Sequence, residues 1–213
     1  MFFEDDSDVK IFGENKNNNL NKNEEKSLIF EIEKHQNNGN MARAKKLGQM
    51  LADELLPADS ISQFGFANGI GYPNETIEVS FQRRVLMAFC VEVGLEMYID
   101  NDVLSSAAIA EFHKRMEKEY PDFYKSIMDL GAFSLYYLGL RTEGKAEKAI
   151  GSVFARLCRD SDKGLYADFG EALFIYFMDS ISKMVSEQGF KGLNCNEGNE
   201  NNALEMEVIE QKS

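Results

Sequence analysis

The chain has 213 residues, 44% of them hydrophobic, with 16 Phe, 10 Met, only 3 Pro and no Trp, enough apolar mass for one sizeable core. Its formal net charge of −13 argues against DNA or RNA as the main partner, because phosphate binding draws on Lys and Arg, and against an anionic membrane surface. Cys90, Cys158 and Cys195 are odd in number and share no C-x-x-C spacing, which excludes a disulfide framework and a zinc knuckle and suits a reduced, cytoplasmic setting.

The opening Met1-Phe2-Phe3-Glu4-Asp5-Asp6 is acidic where a secretory signal is basic and then apolar. The longest apolar stretches, 130–140 and 172–178, fall far short of the roughly 20 residues that span a bilayer. Residues 1–24, rich in Asn and charge, read as a flexible polar tail, and 189–213, where Asn and Glu alternate, as a flexible acidic one, because neither buries enough apolar surface to offset ordering. Within the second tail, Leu204-Glu205-Met206-Glu207-Val208-Ile209 is a short apolar piece able to dock or to form a transient helix.

The body, 25–188, reads as a single all-α domain, an irregular bundle of about seven or eight helices. Leu28, Ile29 and Ile32 make the first apolar stripe, stopped by Asn37-Asn38-Gly39. Ala44, Leu47, Leu51 and Leu55 recur at helical spacing in the second helix, which Pro57 closes. After a Gly- and aromatic-rich connection, a long helix from Asn74 or Thr76 to Ile99 is apolar on most faces, which predicts burial at the centre of the domain. Asp102 or Ser105 is the expected cap of the next helix, whose inner face carries Ile109, Phe112 and Met116. Tyr120 ends it because Pro121 disfavours the α conformation before it, and two short helices then meet near Leu130 and Gly131. Thr142 is the expected cap for a helix aligned on Ala146, Ile150, Val153 and Leu157. The last helix runs from about Tyr166 to Glu187, stopped by Gly189. Its run from Leu173 to Met178 is apolar on every side, so unless it lies at the core's centre its surplus face calls for a partner.

Three constellations bear on chemistry. Asp160, Asp162, Asp168 and Glu171 fill positions 1, 3, 9 and 12 of a calcium-loop pattern, a candidate metal site. Gly164 at the fifth position has no side-chain oxygen, and Leu165 replaces the glycine of the sixth, so a polar helix connection competes with it. Arg84, Glu92, Glu96 and Asp100 repeat every four residues or multiples of four along the long apolar helix. Such a stripe is either a solvent edge or, with Arg84, Glu92 and Glu96 as ligand contacts, the lining of an inter-helix pocket. A di-iron site needs two Glu-x-x-His pairs, and neither His35 nor His113 has a Glu three residues before it. Arg141, Lys145, Lys148, Arg156, Arg159 and Lys163 form a basic cluster whose field Glu143, Glu147, Asp160 and Asp162 largely cancel.

No catalytic residues and no cofactor emerge from this pattern: G-x-S-x-G and a P-loop are both absent. The expectation is a non-enzymatic helical protein that acts through contacts with a protein partner or with copies of itself. The alternative is a small-molecule-binding domain or enzyme with an inter-helix pocket near Glu92 and Glu96.

Overall fold

A computed structural model describes residues 20–56, 76–141, 144–158 and 163–193. Among these residues all regular structure is helical, in eight helices: α1 Leu20–Asn37, α2 Asn40–Leu55, α3 Ile77–Tyr98, α4 Asp102–Glu119, α5 Pro121–Leu130, α6 Ala132–Leu140, α7 Ala146–Leu157 and α8 Lys163–Glu187. No helix among them is long and apolar enough to cross a membrane.

The starts and stops follow local chemistry. Thr76 is extended and its Oγ1 accepts the Val79 N–H at 3.2 Å, which opens α3. Asn101, not Asp102 or Ser105, caps α4, because Asn101 has extended backbone and its Oδ1 accepts the Leu104 N–H at 3.0 Å. Pro121 occupies the first turn of α5, and Gly131, with φ 59°, separates α5 from α6. At α7 the capping position is held by Lys145, which makes no side-chain cap bond, and Thr142 lies outside the described residues.

Burial in α3 runs right round the helix. Residues 85–91 are all fully buried, and seven successive positions cover every direction around a helix that turns once per 3.6 residues. Phe89 is the hub: its ring stacks on Tyr136 at 5.1 Å and meets the edges of Tyr137 and Phe133 at 5.1 and 6.0 Å. α8 is the second core helix. Leu173, Phe174, Phe177, Met178 and Ile181 are buried against α3 and α7, and only Ile175 of the run 173–178 stands exposed. The apolar excess of this helix is thus absorbed within the chain, and it leaves little surplus face for a partner.

Two helix pairs approach unusually closely through glycine. Gly48 sets α2 on the backbone of α4, where an added Cβ would strike the Ala108 carbonyl and lie 2.9 Å from the Phe112 nitrogen. Gly151 sets α7 on α8 in the same manner, against Ala167 and Glu171. Outside the core, Asn40, fully buried, donates to the Lys191 carbonyl at 3.0 Å and accepts the Lys191 N–H at 2.9 Å. This clasp ties the α1–α2 turn to the chain beyond α8, with His35 Nδ1 3.4 Å from the same amide nitrogen.

Substituting Gly48→Ala is expected to force α2 and α4 apart and to cost about 1–3 kcal/mol, the usual range for overpacking a tight contact. Urea unfolding of the variant checks this, and an unchanged midpoint would mean that the two backbones do not meet at Gly48.

Candidate functional site

A carboxylate on a helix buried all round must be satisfied by the helices packed on it. Glu92 of α3 is only 17% exposed, and its Oε1 lies 2.7 Å from Nε2 of His113 on α4. From α6 the Tyr137 hydroxyl donates to its second oxygen at 3.4 Å. His113, itself 18% exposed, packs edge-on against the Tyr124 ring of α5 at 5.8 Å. Four helices therefore each send one polar or aromatic group to one point. Nε2 donates to the carboxylate, and Nδ1 is buried without a hydrogen-bond partner.

The phenols around this point are held protonated. Burial pushes the Tyr137 hydroxyl far above the ordinary phenol range, and the nearby charges of Glu92 and Glu96 add to it. Tyr124 is raised for the same first reason, with Glu117 and Glu92 contributing. Tyr137 is accordingly a fixed donor, and the cluster can orient a carboxylate and an imidazole without a water between them.

Arg84 does not join this group. Two turns earlier on α3, its guanidinium sits over the rings of Tyr120 and Phe123, 4.8 and 4.2 Å from their centroids. Nε and Nη2 are buried with no hydrogen-bond partner, so the aromatic faces take the place of acceptors. Burial draws its pKa below the ordinary arginine value, Tyr120 opposing and Arg83 reinforcing the shift. Glu96 and Asp100 are exposed. The stripe Arg84–Glu92–Glu96 thus divides into an aromatic-covered cation, a bonded carboxylate and a surface carboxylate.

The chain matches no protein-family model, no curated protein and no solved structure. What the site can do therefore rests on its own geometry.

Of the calcium-pattern residues, Asp160 and Asp162 lie outside the described residues. Asp168 and Glu171 both stand on α8, exposed and half-buried, one turn apart. Since α8 begins at Lys163, positions four to twelve of the pattern are helical, where a calcium loop would have to turn. Among the described residues no group of three or more His, Cys, Asp or Glu side chains is placed to hold a metal ion. Cys90 is a fully buried thiol.

Sequence reasoning did not single out His113 with Glu92, nor Tyr124 and Tyr137. His113 lies i, i+4 from Glu117 and reads as part of a solvated pair along its own helix. Its actual partner is 21 residues away on another element. The one usable signal is that a Glu embedded in an all-round apolar helix needs a donor, and the chain holds only two histidines.

These groups set an alkaline limit on stability. Tyr136 and Cys90, both fully buried, are raised well above their ordinary values by burial, and Tyr137 and Tyr98 shift in the same direction. Each is an acid that ionises at lower pH in the unfolded chain than in the folded one. Their contribution is complete below the ordinary Cys and Tyr values of 9.0 and 10.0 and is lost as pH rises beyond them. The melting temperature should hold near pH 8 and decline toward about pH 11, less steeply in Tyr137→Phe, which has no phenol to ionise there. Identical slopes in the two proteins would remove Tyr137 from this account.

Proposed function

We propose that this chain is a non-enzymatic protein-interaction module, acting in the cytoplasm, whose contact surface is α1 and whose first partner is a second copy of itself. One observation carries this reading. Leu28, Ile29 and Phe30 are 50%, 50% and 69% exposed on a helix whose only buried described side chain is His35. The described residues leave half or more of each of these three side chains exposed. Covering what remains exposed of these Leu, Ile and Phe side chains is worth about 1–2 kcal/mol each, and a symmetric pair contributes it twice. The acidity of the chain supports solubility and favours basic faces on other partners. The buried Cys90 thiol suits a reducing compartment.

The Glu92–His113–Tyr137 constellation supports a second reading, a small-molecule or catalytic site between helices with Glu92 and Glu96 as its carboxylates and Arg84 as its cation. It stands behind the first, because Glu92 already spends both oxygens on partners within the chain.

Sedimentation velocity of the full chain at tens of micromolar is expected to show a dimer or larger species. Phe30→Asp should return it to a monomer with unchanged helix content. A wild-type monomer at that concentration, or a Phe30→Asp protein that assembles as before, would contradict self-association through α1.

A further inference from the structure

Lys26, Ile29, Phe30 and Glu33 follow the i, i+3, i+4, i+7 spacing of a single helix face on α1, and all four are exposed. At about 100° per residue, that face points about 170° away from His35, the side chain that α1 buries. Leu28, seven residues before His35, lies on the core side with it. So does Glu31, which accepts a hydrogen bond from Asn101 ahead of α4. Lys26 and Glu33 have no ion pair among the described residues. They stand about 10 Å apart along the axis, one beyond each end of the apolar pair Ile29–Phe30. An apolar centre with a cation at one end and an anion at the other is complementary to its own reverse.

We propose, resting on the reading that this chain self-associates through α1, that two copies pair these helices antiparallel about a twofold axis between Ile29 and Phe30. The axis brings Lys26 of each copy level with Glu33 of the other and gathers Ile29 and Phe30 of both copies around itself. A twofold contact is made twice, so two ion pairs flank one apolar centre. Parallel pairing would instead set Lys26 on Lys26 and Glu33 on Glu33, and like charges at close range oppose association. The axis falls near the middle of α1, so the paired helices overlap over 22–37, about 24 Å at 1.5 Å per residue. At the spacing of about 8–10 Å usual for packed helices, a Lys and a Glu side chain together span the gap. The charge pattern thus selects a second copy, in one orientation, over other apolar helices.

Sedimentation velocity of the full chain over a concentration series reads the dissociation constant and tests this pairing. Lys26→Glu replaces both ion pairs with Glu–Glu contacts and Glu33→Lys replaces them with Lys–Lys contacts, so each should weaken the dimer about tenfold. Lys26→Glu together with Glu33→Lys re-forms both pairs and should return the constant to within about threefold of the wild type. The differences should shrink in about 1 M salt, which screens exposed charges. Circular dichroism should show unchanged helix content throughout, since both positions are exposed. In an equal mixture of isotopically distinct chains, a zero-length carbodiimide should join Lys26 of one to Glu33 of the other. A wild-type monomer at tens of micromolar would remove self-association through α1 and this pairing with it. A wild-type dimer that Phe30→Asp abolishes but the single reversals leave unchanged, or that the double reversal weakens more than either single one, would overturn the antiparallel pairing and leave the α1 contact standing.

Discussion

Burial of α3 on every side is the constraint from which the rest of the fold follows. A helix with one apolar face needs one neighbour; a helix with fully buried residues throughout 85–91 needs a ring of them. α8, α4, α6 and α7 supply that ring, and their own apolar faces are buried in the process. The demand extends to polar side chains. Arg84 and Glu92 ride on α3 half-buried, so Tyr120 and Phe123 at the start of α5 cover the one, and His113 of α4 and Tyr137 of α6 bond the other. The candidate site is thus first a consequence of packing, and any ligand chemistry would be added to groups that stability already requires.

The sequence made the architecture legible where the information is local. The apolar continuity of 79–99 marked the central helix, Pro121 marked a helix start, and Gly131 and Gly189 marked breaks at positive φ. Where two local candidates competed, the pattern chose wrongly: Asp102 and Ser105 are good capping residues, but Asn101 has the extended backbone a cap needs. The position of α8 was open for a different reason. Its continuous run 173–178 fits either a core helix or an interface, and only the packing of Gly94 on Ile181 and Phe154 on Phe169 distinguishes them.

The candidate site was less legible because its geometry is non-local. Glu92 was visible as an anomaly, a carboxylate among apolar neighbours, but its partner sits 21 residues on and its second donor 45. Spacing along one helix suggested instead that Arg84, Glu92 and Glu96 act together, and eight or four residues of helix place them in three different surroundings. Among the described residues, Leu28, Ile29 and Phe30 stand exposed in succession on α1, a helix that contributes no apolar side chain to the buried core.

Native-state hydrogen exchange under dilute conditions tests the central claim most directly. If α3 organises the domain, the amides of residues 85–91 exchange only through global unfolding, with a protection free energy equal to that from denaturant, whereas α1 exchanges far earlier. Amides of 85–91 that open as readily as those of α1 would contradict it.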